Sequence, residues 1–245
     1  MFKPRHRAIG AFLAAAFGLS GSAARAEDIT RVVELFTSQG CSSCPPADRI
    51  LQGLAQRPDI IALTFPVTYW DYLGWKDTLA SPENARRQRG YAAAQGESEV
   101  YTPEMVVNGL KSCVGSDLNA VESALRSTAN IIHKDAVPLS AKREGNRLII
   151  EAGAAPQDSS HVRGKIWIAS VRHTAPVQIG RGENAGRAVT YTNVVRGLVA
   201  AGDWQGAPAS YAVPAASLPK DGDTLVVFLQ AETLGPIVAA LRIEG

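Results

Sequence analysis

Cys41 and Cys44 stand three residues apart with Ser42 and Ser43 between them. Two thiols at this spacing support three kinds of chemistry. A thiolate at Cys41 attacks a disulfide sulfur, and Cys44 then displaces the mixed disulfide so formed. Copper(I) accepts two thiolates, whereas zinc usually wants four Cys or His ligands and finds only two here. An inert structural bridge is the third. The surroundings favour exchange. The pair follows the apolar run Val32-Val33-Glu34-Leu35-Phe36 and the loop Thr37 to Gly40, and it precedes a stretch with helical spacing. A thiolate at a helix N-terminus is stabilised by free N–H groups and the helix dipole. This order makes Cys41 the exposed nucleophile and Cys44 the resolving thiol. Pro45 and Pro46 follow directly, and a residue before proline avoids the α region. The helix is therefore expected to start at Pro45 or Pro46, with its dipole farther from Cys41.

Further residues carry weaker signals. Tyr69, Trp70, Tyr72 and Trp75, with Asp71 and Asp77, read as packing at the end of a sheet in preference to a substrate rim. Cys113 reads as a small buried hydrophobe. His133, His161 and His173 lack ligand spacing, and no cofactor motif or metal site is expected. Gly180 to Arg187 resembles a phosphate loop but lacks the Lys-Ser/Thr that completes one, so it reads as a demanding loop between strands.

Before residue 135 strand-like and helix-like stretches alternate. Arg31 to Phe36 reads as a strand, Pro46 to Ala55 as a helix, and Ile60 to Val67 as a strand covered on both faces. Ser81 caps a helix that opens at Pro82 and runs to Gln95. Met105 to Val107 and Leu110 to Val114 form a hairpin about Asn108-Gly109, and Asp117 to Thr128 a closing helix. After Pro138 the runs Arg147 to Glu151, Gly164 to Val171, Ala188 to Val195 and Thr224 to Leu229 favour strands, with turn formers between them. The expected fold class is an α/β domain over 27–135 followed by an all-β, sandwich-like domain over 136–245, with an elaboration of the first sheet as the alternative for the β-rich part.

Strand, C-x-x-C and helix, with Tyr101-Thr102-Pro103-Glu104-Met105 entering the hairpin, resemble the thioredoxin superfamily across Thr30 to Thr128. The runs T-S-Q-G-C-S-S-C-P-P and Y-W-D-Y-L-G-W-K-D are similar to those of a secreted bacterial thioredoxin-like group known as a domain of unknown function. The resemblance implies a cis bond at Thr102-Pro103, with Pro103 facing the dithiol and offering backbone groups to substrate. It also implies a proton-relaying acid in the first strand, which points loosely to Glu34.

The first 26 residues read as a secretory signal: Lys3, Arg5 and Arg7, an apolar run from Ile9 to Leu19, then Ala24-Arg25-Ala26. That segment holds four basic residues and no acidic one, so its removal takes the net charge from +2 to −2. The basicity belongs to the leader and argues against nucleic-acid binding. No later segment is apolar enough to span a membrane. Taken together, the residues lead to a periplasmic or secreted thiol–disulfide oxidoreductase, with protein thiols or disulfides as substrates and a redox partner protein. A copper(I) metallochaperone and a binding module with an inert disulfide are the alternatives.

Overall fold

The computed structural model describes residues 1, 24–25 and 31–243. The expected signal segment 1–26 lies outside them, apart from Met1 and a two-residue strand, β1 (Ala24–Arg25).

The dithiol-bearing half is built on β2 (Arg31–Thr37) and β3 (Ile60–Pro66), paired in parallel from Arg31↔Ile60 to Thr37↔Pro66. A parallel pair needs a crossover, and α1 (Pro45–Leu54) supplies it. On the other side of β2 lies β4 (Glu104–Val107), antiparallel, which turns into β5 (Lys111–Val114). Asn108 and Gly109 take φ of 54° and 69° at that turn, the left-handed values a two-residue hairpin needs. Helix α2 (Pro82–Ala94) starts as expected, with the Ser81 side chain accepting from Glu83 N–H. Helix α3 runs from Leu118 to Asp135, seven residues past its expected end at Thr128. Ile132 is buried in the added turns, and His133 and Lys134 sit where cations complement the helix dipole.

Period-two alternation along β2 and β3 sorts the core. Val33, Leu35, Ile60 and Ala62 meet Leu51 of α1 and Leu125 of α3. Val32, Phe36, Leu63 and Phe65 face the opposite way, against Ala85 and Tyr91 of α2. Each such large side chain contributes about 1.5–3 kcal/mol through burial.

The β-rich half continues the same sheet. Its strands are β6 (Leu139–Glu144), β7 (Arg147–Ala152), β8 (Gly164–Gln178), β9 (Ala188–Trp204), β10 (Ala209–Pro214), β11 (Thr224–Ala231) and β12 (Ile237–Ile243). An eight-stranded sheet has the order β12-β11-β8-β9-β3-β2-β4-β5, and a smaller one the order β1-β6-β7-β10. The change of texture near residue 135 is therefore not a break in the sheet. It crosses from β3 to β9 at Thr64↔Val194, supported by Thr64 Oγ1 donating to Thr192 O (2.6 Å) and Asn193 Nδ2 to Ala62 O (3.0 Å). Phe228 of β11 and Ile237 of β12 join Phe36 and Tyr91 in one core, so the sheet curls back over β2 and β3. The smaller sheet lays Leu139, Leu148 and Ile150 on Ile166, Ile168 and Leu229 of the larger one. Among the described residues no helix is long and apolar enough to cross a membrane.

One departure from the expected runs matters for the site. Strands β8 and β9 extend to 15 and 17 residues, and residues 179–187 at their tip reach the dithiol.

Candidate functional site

Cys41 and Cys44 are joined as a disulfide with Cα atoms 5.4 Å apart, and Cys113 is free. Cys44 is the N-cap of α1 with φ −76° and ψ −35°, and its N–H donates to Cys41 O (3.2 Å). The pair thus occupies the turn before the helix. Proline at the first two helical positions removes two N–H groups there. The next two, on Ala47 and Asp48, both donate to Cys44 O (2.9 and 3.1 Å).

Cys41, expected as the exposed nucleophile, is fully buried, and so is Cys44; both show 0% exposure, although Ser42 and Ser43 are exposed. Three loops meet around them. Trp70 packs beside Gly40 and donates from Nε1 to Thr102 Oγ1 (2.7 Å). Trp75 Nε1 donates to Gln39 Oε1 (2.8 Å), and Gln39 N–H donates to Asp77 Oδ2 (2.8 Å). Asn184, at the β8–β9 tip, donates from Nδ2 to both Gln39 O (2.9 Å) and Cys41 O (2.8 Å). Gly180 lets the tip close on Trp75, since a Cβ there would come 3.1 Å from the indole. The aromatic run expected as packing therefore also supplies hydrogen bonds that fix the dithiol loop.

Of the segment entering the hairpin, the structure brings Thr102 to the pair. The Thr102–Pro103 bond is cis, and Cys41 Sγ lies 3.7 Å from Thr102 O. Gln88 of α2 holds this segment, donating from Nε2 to Tyr101 O (2.7 Å) and Glu104 Oε2 (2.6 Å).

Glu34 does not come to the pair, which corrects its assignment as the acid beneath the dithiol. Alternation along β2 turns it away from α1, to the face occupied by α2. There it is fully buried and accepts from Arg87 Nε (2.7 Å) and Nη2 (3.1 Å) and from the Tyr91 hydroxyl. Gln230 of β11 completes the cluster by donating to Tyr91 (2.9 Å).

The buried acid on α1 is Asp48, which was not among the expected site residues. It lies one helical turn after Cys44, and side chains four apart on a helix sit about 5–6 Å apart at Cβ. Asp48 Oδ1 accepts from Thr37 Oγ1 (2.9 Å), while Oδ2 is buried without a partner. Burial pushes its pKa up to about 7, with nearby Asp77 adding to the rise and Thr37 opposing it. Burial likewise raises Asp77 and Tyr191, the latter facing both carboxylates. The available signal was spacing: Cys44 and Asp48 are four apart on a helix whose exposed face carries Arg49.

Cys113 is half-buried on β5, and burial pushes its thiol up to about 11. His161 meets Glu232 (3.1 Å) and Asp135 (3.8 Å) at the end of α3. Among the described residues no group of three or more His, Cys, Asp or Glu side chains is placed to hold a metal ion.

Among solved structures, the chain is similar to a protein of Agrobacterium tumefaciens, with 34% identity, a TM-score of 0.76, and coverage of 88% of this chain and 94% of that one. HBP35 of Porphyromonas gingivalis has a similar fold, with a TM-score of 0.57 at 11% identity, over 92% of this chain and 76% of that one. Comparison with curated proteins finds no match. The profile of DUF1223, described as a protein of unknown function, matches residues 32–230, and the chain belongs to that family.

Proposed function

We propose that the chain is an exported, thioredoxin-like thiol–disulfide oxidoreductase of the periplasm or cell exterior, acting on protein thiols or disulfides and coupled to a redox partner protein. The observation that carries this reading is the Cys41–Cys44 disulfide in the turn that leads into α1, with Cys41 Sγ 3.7 Å from Thr102 O. The order strand, dithiol, helix, with Thr102-Pro103 opposite the sulfurs, supports the thioredoxin-like placement.

The chemistry moves electrons between sulfur atoms. Cys41 forms a mixed disulfide with the substrate, and Cys44 then attacks the Cys41 sulfur to release it. Cys44 must lose a proton to do so. The partnerless Oδ2 of Asp48 is the acceptor one turn away, and a pKa of about 7 suits a base working near neutral pH. Thr102, the residue before the cis bond, is placed to meet the substrate backbone beside the sulfurs.

Trapping tests the proposal. Cys44→Ser leaves the mixed disulfide unresolved, so non-reducing gels of cells expressing it are expected to show adducts that Cys41→Ser abolishes. Absence of adducts, together with a disulfide that no thiol buffer reduces reversibly, would defeat the reading in favour of an inert bridge.

A further inference from the structure

The redox reading leaves open which way electrons flow, and the surroundings of Cys41 bear on that. A pair becomes oxidising when its reduced form is stabilised, chiefly by donors or positive charge that hold the nucleophilic sulfur as thiolate. Helix N-termini do this through their unpaired N–H groups. Here that source is used up. Pro45 and Pro46 carry no N–H, and the N–H groups of Ala47 and Asp48 both go to Cys44 O. Cys41 N–H is also engaged, donating to Ser38 O (3.2 Å).

What faces the sulfur instead is an acceptor. Thr102 O lies 3.7 Å from Cys41 Sγ, held there by the bond from Trp70 to Thr102 Oγ1. A carbonyl oxygen receives a bond from a thiol but repels a thiolate, so it favours the protonated form. The two acids nearest the pair have the wrong sign for a thiolate whenever they ionise: Asp48 lies one turn beyond Cys44, and Asp77 accepts from Gln39 N–H, while the cation beside Asp48, Arg49, lies on the exposed face of α1.

We propose that Cys41–Cys44 is a reducing pair: the protein works as a dithiol that donates electrons to disulfides of partner proteins. This rests on the redox reading above and gives it a direction. In the forward step the Cys41 sulfur bonds to one sulfur of the substrate disulfide, the substrate S–S bond breaks, and the departing thiolate takes a proton. Cys44 then bonds to Cys41, the second substrate sulfur leaves as a thiol, and two electrons and two protons have passed to the substrate. The oxidised protein is returned to its dithiol by an external dithiol donor.

The test is an equilibrium measurement on the purified full chain, with the thiol state read by alkylation and gel shift in glutathione and dithiothreitol buffers. The ultraviolet absorbance of the Cys41 thiolate is followed against pH alongside. The expected results are a disulfide that persists in excess reduced glutathione but yields to dithiothreitol, and a Cys41 pKa at or above that of free cysteine, about 8.5. The double variant Pro45→Ala, Pro46→Ala restores two N–H groups. It is expected to lower the Cys41 pKa and shift the glutathione equilibrium at least tenfold toward dithiol, about 30 mV. A wild-type Cys41 pKa below about 6, with ready reduction by glutathione, would overturn the proposal even if the variant fails to fold. A folded variant with unchanged equilibrium would overturn the role assigned to the prolines. A pair that exchanges with neither buffer would instead bring down the redox function itself.

Discussion

Asp48 keeps one carboxylate oxygen buried and unpaired, and that has a consequence for stability as well as chemistry. Its folded pKa of about 7 lies above the ordinary 3.8, so the folded state holds the proton more tightly than the unfolded chain. Stability is therefore predicted to fall as pH rises through the window from about 4 to about 7, by at most ~4 kcal/mol, and to level off above it. Asp48→Asn is expected to flatten that slope in urea denaturation and to slow release of substrate from Cys41; an unchanged slope would mean that the carboxylate is solvated. Glu34 makes the contrasting case. Glu34→Gln leaves Arg87 buried without its counter-charge, which predicts a loss of about 3–5 kcal/mol in urea unfolding, with the dithiol equilibrium unchanged. A shifted equilibrium in a folded Glu34→Gln protein would return that residue to the redox chemistry. The sequence points to Cys41 and Cys44 through spacing and order, and to Thr102 and Pro103 only through the family resemblance of the segment entering the hairpin. Between the two acids it favours the wrong one, because the strand carrying Glu34 is easy to see while the face it occupies depends on packing against α2.

At the scale of elements, local signals sufficed where local physics decides. Ser81 caps α2, Asn108-Gly109 turns the β4–β5 hairpin, and Pro45 marks the start of α1. The reach of β8 and β9 was not legible, because residues beyond Val171 are partly exposed and lack a clean apolar alternation. Nor does anything local connect Asn184 with Cys41, 143 positions earlier in the chain. Yet this contact lets the hairpin tip hold the dithiol loop down. Asn184→Ala removes two hydrogen bonds to buried carbonyls, worth roughly 2 kcal/mol together. Small thiols are then predicted to reduce the Cys41–Cys44 disulfide about thirtyfold faster, since 1.4 kcal/mol corresponds to a factor of ten. Stopped-flow mixing with dithiothreitol would measure this. An unchanged rate would show that the tip does not control access to the sulfurs.

For the whole molecule, the question is whether the α/β part has a core of its own. The texture of the sequence suggests a unit ending near 135, but β3 has β9 as its outer neighbour, and the face of β2 that carries Phe36 is closed by Phe228 and Ile237. The Glu34–Arg87–Tyr91 cluster likewise exchanges hydrogen bonds with Gln230, which accepts from Arg87 and donates to Tyr91. A fragment ending at residue 135 would therefore open an apolar face, an unpaired strand edge and a buried ion pair at once. Exposing a few large side chains at about 1.5–3 kcal/mol each removes an amount comparable to the 5–15 kcal/mol by which a domain is stable. The prediction is that fragment 27–135 does not unfold cooperatively and binds a hydrophobic dye, whereas the full chain unfolds in one calorimetric transition. The same curling of the sheet explains why the β-rich half can act on the dithiol through Asn184: its strands belong to the sheet that carries Cys41. Two separated transitions in the full chain, or a cooperative melt for the fragment, would show that the halves are energetically independent and that the hairpin tip merely rests against the site.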